Sequence, residues 1–265
     1  MILLLAKSLQ GNIQQGKMIN LYTEKEIEIM AEGGKVLAKI IHETAKYVKP
    51  GITTKELDKV AEDLIFQYGA EPAFKGFNNY PNVLCTSVNE EIVHAVPSNR
   101  VLKESDLITL DLGIKFKGYC TDMAITVGVG KIDKKLQKLM DVTEKSLELG
   151  VKQCKPGNRL GDIGFTIQNY VEKNGFNVIR DLVGHGIGKK VHEEPEVLNY
   201  GEKATGIVLK PGMVIAIEPM IVVGDHQIEK AKDGFAFLSK DRSISAHFEY
   251  TVAITKKGCR VLTKT

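Results

Sequence analysis

Between Tyr22 and Val48 the apolar residues Ile27, Met30, Leu37, Ile40, Ile41 and Val48 recur at intervals of three, four and their sum. That period lines one face of a helix. Thr23, followed three residues on by Glu26, supplies a capping box at its start, and Lys49-Pro50-Gly51 stops it. A second amphipathic helix follows, capped by Thr53 or Thr54, with Leu57, Val60, Ala61, Leu64 and Ile65 on one face and Gly69 at its end. The plan then returns. A helix over about 134–152 runs into another Lys-Pro-Gly at 155–157, and a helix over about 160–173 ends at Gly175. From 49 to 155 is an offset of 106 residues. The stretch VLKESDLITLD at 101–111 aligns with VLKPGMVIAIE at 208–218, an offset of 107. Helix, turn, helix and strand recurring in order predict two α/β halves, approximately 18–130 and 131–265, related by duplication and packed as one domain. Two similar helical hairpins arising by chance is the competing reading.

The offset sets Asp111 opposite Glu218, each an acid at the end of an apolar strand. LITLDLGIKFKGYCTDMAITVGVG reads as a β-hairpin, with strands at 107–114 and 119–127 around Phe116, Lys117 and Gly118. Centring the turn between 116 and 117 puts Asp111 directly across from Asp122. Opposed side chains have Cβ atoms about 4.5–5.5 Å apart, and like charges there destabilise a sheet. An ionised carboxylate in an apolar strand is costly unless paired, and no Arg or Lys lies beside these acids on the same strand face. Glu249, in SAHFEYTVAIT, is a fourth acid of this kind; alternation groups it with His247 and Thr251, and puts Phe248 with Tyr250 on the other face. Either protons or bound cations must neutralise such a set. Together with a histidine it suits two divalent cations bridged by carboxylates, about 3.5–4 Å apart, and not a thiolate zinc site.

The segment LVGHGIGKKVHEEP, 182–195, supplies two histidines, His185 and His192. A pair of ligands, one ligand with one acid/base group, and two unrelated loop histidines all fit this spacing. Composition narrows the rest. The 265 residues are 43% hydrophobic and 26% charged, ordinary for a globular chain, and a net charge of +3 is too small to argue for a nucleic-acid partner. Lys131, Lys134, Lys135 and Lys138 read as the solvated face of a helix. Cys85, Cys120, Cys154 and Cys259 are widely spaced, as expected of reduced thiols in a cytoplasmic protein. The opening MILLLAKSLQGN has an apolar burst without a basic region before it, so residues 1–17 read as a leader outside the fold, with Met18 an alternative start.

These residues resemble a known family. DLGIKFKGYCTDMAITVG, GHGIG, IEP and FEYTV look like the type I methionine aminopeptidases, in order and at similar spacing, over roughly residues 18–263. The resemblance implies an α+β pita-bread fold, two pseudo-symmetric halves around a curved antiparallel sheet, and removal of an N-terminal Met when the second residue is small. It implies Asp111, Asp122, His185, Glu218 and Glu249 as ligands of two divalent metal ions (Co, Mn, Fe or Zn), with Asp122 and Glu249 bridging. Glycines beside His185 would let the backbone crowd the metals. The cations would acidify a water and polarise the scissile carbonyl, with Glu218 as proton acceptor. His94, in EIVHAVP, would contact the scissile amide, and His192 the carbonyl oxygen. Phe74, Phe77, Tyr80, Cys85, Val191 and Phe235 match the pocket for the methionine side chain, a soft apolar slot suited to a thioether. The implied partner is the N-terminal Met of nascent polypeptides. A transient contact with the ribosome and a monomeric chain are carried as expectations, with no membrane and no specific nucleic acid.

Two rivals use the same fold. A prolidase-like enzyme would keep the metals and change the specificity, and is expected to carry an additional N-terminal domain. A non-enzymatic binding module would have lost metal ligands, whereas all five implied positions are occupied here.

Overall fold

A computed structural model describes residues 18–264; the proposed leader, 1–17, lies outside them. Among the described residues four α-helices form where the apolar periodicity places them. Helix α1 spans Glu24–Ala45 and α2 spans Thr54–Gln67, and each starts with a complete capping box, Thr23 with Glu26 and Thr53 with Glu56. Such a cap contributes about 1 kcal/mol. Helix α3, Lys134–Val151, is capped by the Asp133 carboxylate, which accepts from Lys135 N and Leu136 N; α4 spans Leu160–Lys173.

The internal repeat has a physical counterpart in the backbone. Gly51 N donates to Leu102 O and Leu102 N to Ile52 O, while Gly157 N donates to Leu209 O and Leu209 N to Asn158 O. Isolated bridges Thr53↔Val101 and Arg159↔Val208 follow at the same offsets. Each Lys-Pro-Gly turn, which joins the two helices of a hairpin, is therefore tied to the approach of the strand that follows, and Gly51 and Gly157 adopt φ +93° and +91° there.

The helices back a nine-stranded antiparallel sheet. In spatial order its path runs through Glu71–Pro72, Leu107–Phe116, Tyr119–Gly128, Glu249–Thr255, Val214–Ile217, Gly184–Gly186 and Glu193–Val197. Gly258–Val261 pairs with Glu249–Thr255, and Cys85–Val88 with Leu107–Phe116. The Glu249 strand joins the halves, with Tyr119–Gly128 on one side and Val214–Ile217 on the other. One apolar core runs along the helix side, from Leu37, Ile41 and Leu57 through Leu110 and Leu112 to Leu147, Ile163 and Ile167. All four cysteines are free. No helix among the described residues is long and apolar enough to cross a membrane.

The hairpin register differs from the sequence expectation. Its strands are longer, and Phe116 pairs with Tyr119 around a two-residue turn, Lys117-Gly118. Both turn residues have positive φ, 48° and 85°, which suits the right-handed twist of a tight hairpin. Asp111 therefore faces Ala124, and Asp122 faces Gly113. The slip is even, so both acids keep the same face of the sheet, as diagonal neighbours rather than an opposed pair.

Candidate active site

The sheet's other face gathers the acids singled out in the sequence. Asp122, His185 and Glu249 are buried, and one ligand atom from each lies within 4.8 Å of those of the other two. Asp111 is buried in the same row as Glu249, both pairing with Ala124 from opposite sides. Glu218 follows the Val214–Ile217 strand, and its Oε1 lies 3.5 Å from His185 Nε2. The pairs Tyr250↔Ile217 and His247↔Met220 share one register, so Glu218 and Glu249 are opposed across the step at Pro219 and Phe248. The opposed like-charge pair is thus Glu218 with Glu249, not Asp111 with Asp122.

Each position is fixed by backbone. Asp122 is held against the Glu249 strand, its N–H donating to Thr251 Oγ1 (2.9 Å) and its carbonyl accepting from the same hydroxyl (2.8 Å). His185 Nδ1 lies 2.9 Å from the Gly186 carbonyl. That contact requires the proton on Nδ1 and leaves the Nε2 lone pair toward the carboxylates, the tautomer a metal ligand needs. The glycines beside it also answer to the backbone of neighbouring strands. A Cβ on Gly184 would lie 2.4 Å from Ala216 O, and one on Gly186 2.1 Å from Glu194 O. They let neighbouring backbone close onto the His185 strand.

Electrostatics mark the cluster as unbalanced when no cation is present. Burial, then the Asp122 charge, pushes the Asp111 carboxyl well above the usual carboxylate range. Burial, then Asp122 and Asp111, does the same to Glu218, and burial, then Asp122, Glu218 and Asp111, to Glu249. Asp122 is raised by burial against an opposing hydrogen bond from Met123 N. Burial lowers His185 to about 4, with the Gly186 carbonyl opposing. Among the described residues Glu249 Oε1 has no hydrogen-bond partner. Raised acids, a lone pair turned inward and an orphaned carboxylate oxygen fit a divalent cation, which would neutralise all three conditions together.

The other expected residues gather around this centre. His192 packs edge-on against His185, ring centroids 4.3 Å apart, and against Phe77 at 5.4 Å; its Nδ1 has no partner among the described residues. His94 follows the Glu91–Val93 strand with φ 63° and lies edge-on to Phe237. Desolvation, then neighbouring His247, lowers His94 to about 3; desolvation, then His185 and His94, lowers His192 well below its ordinary value. Phe74, Tyr80, Cys85 and Val191 belong to one buried apolar cluster, with Phe235 packed against it. Tyr80 anchors that wall by donating to a backbone carbonyl, with Leu84 O and Ala95 O each 3.0 Å away.

Two features of the site lie outside the sequence expectations. His247 is buried 3.8 Å from Glu218, and its only sequence signal was alternation with Glu249. Tyr22 contacts both carboxylate oxygens of Glu193, next to His192, and accepts from Lys189 N. This ties the 185–193 loop to the segment before α1, a long-range contact with no periodic trace.

Comparison with known proteins places this geometry. The model of the family described as "Metallopeptidase family M24" matches residues 28–256. Methionine aminopeptidase 1 of Bacillus subtilis is 46% identical over 247 residues, 93% of this chain and 100% of that protein. The crystal structure of a methionine aminopeptidase from Thermotoga maritima superposes with a TM-score of 0.92 at 42% identity, covering 94% of this chain and 100% of that one. A prolidase from Pyrococcus horikoshii shares the fold at a TM-score of 0.75 and 26% identity, over 94% of this chain and 64% of its own. The architecture is thus the pita-bread fold.

Proposed function

This chain belongs to metallopeptidase family M24, and from that premise we propose how it removes the N-terminal methionine of peptides whose second residue is small. The observation that carries the reading is the buried group of Asp122, His185 and Glu249, all within 4.8 Å, flanked by Glu218 and Asp111. These five would hold two divalent cations, with Asp122 and Glu249 shared. His185 and Glu218, 3.5 Å apart, would serve the same cation. When bound, the cations supply an acidified water and polarise the scissile carbonyl.

The chain's own groups do the rest. Glu218, 3.5 Å from His185, receives the proton from the attacking water. His192, neutral because it is desolvated, donates to the carbonyl oxygen as negative charge develops there. His94 contacts the scissile amide on the departing side. The wall of Phe74, Phe77, Tyr80, Cys85, Val191 and Phe235 receives the methionine side chain. Burial and the Asp111 charge keep the Cys85 thiol protonated, so it acts as soft packing and not as a nucleophile.

The test is methionine release from Met-Ala-Ser and Met-Leu-Ser, beside Ala-Pro cleavage, after chelation and return of Co, Mn, Fe or Zn. The reading expects release from Met-Ala-Ser only when a metal is returned, and much slower turnover of Met-Leu-Ser. Cleavage of Ala-Pro in preference to Met-Ala-Ser would transfer the chain to the prolidase-like reading.

A further inference from the structure

His247 is the one buried histidine of the cleft without a role in the reaction just described. It is 2% exposed, and neither ring nitrogen has a hydrogen-bond partner among the described residues. A buried polar ring with both nitrogens unpaired is costly, so its surroundings in the working protein must supply what is missing. The ring is not loosely placed. His247 N donates to Thr126 Oγ1 at 2.9 Å, and that hydroxyl donates to the His247 carbonyl at 2.8 Å. Thr126 is itself 2.8 Å from the Thr109 hydroxyl across the hairpin. The backbone beneath the ring is thus tied to the hairpin that carries Asp111 and Asp122.

Among the described residues, the charged group nearest the ring is Glu218. His247 Nε2 lies 3.8 Å from Glu218 Oε2, while His185 Nε2 lies 3.5 Å from Glu218 Oε1. Each carboxylate oxygen is therefore faced by a different histidine. His185 has its Nδ1 proton engaged with the Gly186 carbonyl and can present only a lone pair. His247 has no such commitment, so its Nε2 is free to carry the proton and donate. We propose that His247 is a positioning residue: its Nε2–H holds Glu218 Oε2, keeping Oε1 turned toward His185 and fixing the plane in which Glu218 receives its proton. The separation of 3.8 Å is longer than a hydrogen bond, and such contacts tighten when a site is loaded.

The proposal rests on the dinuclear reading given above, and its test separates the two. Metal-stripped wild type, His247→Leu and His247→Gln are titrated with Co(II), followed by visible absorption, and assayed on Met-Ala-Ser. Leu fills the space without a donor; Gln restores an N–H. In His247→Leu we expect both cobalt equivalents to bind, an altered visible spectrum, and kcat lower by about tenfold to a hundredfold with KM nearly unchanged, as for loss of a hydrogen bond to a charged group. His247→Gln should recover both spectrum and most of kcat. Wild-type kcat in His247→Leu overturns the proposal. So does a natively folded His247→Gln as impaired as His247→Leu, or loss of a whole cobalt equivalent in both variants, which would make the ring a ligand. A wild type that binds no cobalt fails the underlying reading, and His247 with it; a wild type that binds two and turns over leaves any failure to His247 alone.

Discussion

Replacing Glu249 with Gln separates the energetic cost of the acid cluster from its use. Glu249 is 2% exposed, its Oε1 lacks a partner among the described residues, and one of its oxygens lies within 4.8 Å of an Asp122 oxygen. At that separation two full charges repel by about 3.5 kcal/mol at an effective dielectric of about 20. The metal-free protein escapes part of this by retaining protons, since both carboxyls are raised. The repulsion is expressed more fully as pH rises. Gln is nearly isosteric, removes one charge and offers an N–H to the facing carboxylates. Metal-stripped Glu249→Gln should therefore be more stable than wild type at pH 8, by about 1–3 kcal/mol of the available repulsion. At roughly 2–4 °C per kcal/mol for a chain of this size, Tm rises by about 2–12 °C. Added Mn(II) should stabilise wild type strongly and the variant weakly, because a shared ligand has gone. Thermal melts followed by circular dichroism, with EDTA and with Mn(II), read both effects. A stripped variant that melts below wild type, or one that keeps the full metal-induced shift, refutes the reasoning.

Gly186→Ala should cost about 3 kcal/mol, since its methyl would meet Glu194 O at 2.1 Å, and should weaken metal binding by displacing His185; melts and metal titration check both. His94→Ala and His192→Ala should each lose on the order of a hundredfold or more in kcat while elemental analysis finds the wild-type metal content. The stripped protein should lose stability as pH rises above about 6.5. There the site histidines are neutral folded and unfolded alike, whereas the acids raised by burial bind more protons in the native state than in the unfolded one. Below that pH, down to about 4, the lowered histidines act with the opposite sign, and saturating metal should flatten the slope on the alkaline side in melts between pH 6.5 and 8.5.

Local chemistry made the helices legible. Thr23 with Glu26, a threonine cap at 53 or 54, and two Lys-Pro-Gly turns all act within a few residues of where they stand; the structure forms the first box, puts the second cap on Thr53 and ties down both turns. The hairpin turn is also local, but its centre depends on which two residues accept positive φ. Lys117 does so beside Gly118, and the expected centre fell one residue early. Strand phase survived because the resulting register error was even, so the acids stayed on one face although their partners changed.

What the sequence could not carry is the meeting of distant strands. Glu218 and Glu249 face each other only because two strands, joined through the segment between them, keep one register across Pro219 and Phe248. Neither residue's neighbours announce this. The same step brings His247 to Glu218, although alternation had already put His247 on Glu249's side of its strand. Alternation gives the face and not the distance, so His247 stood in the sequence as one more buried polar residue. The glycines beside His185 show the same limit: they suggested backbone crowding the metals, and the atoms a Cβ would strike are the carbonyls of Ala216 and Glu194. Their constraint comes from strands that become adjacent only on folding. Sequence therefore identifies which residues are anomalous for their element, an acid in an apolar strand above all, and folding decides which anomalies resolve one another.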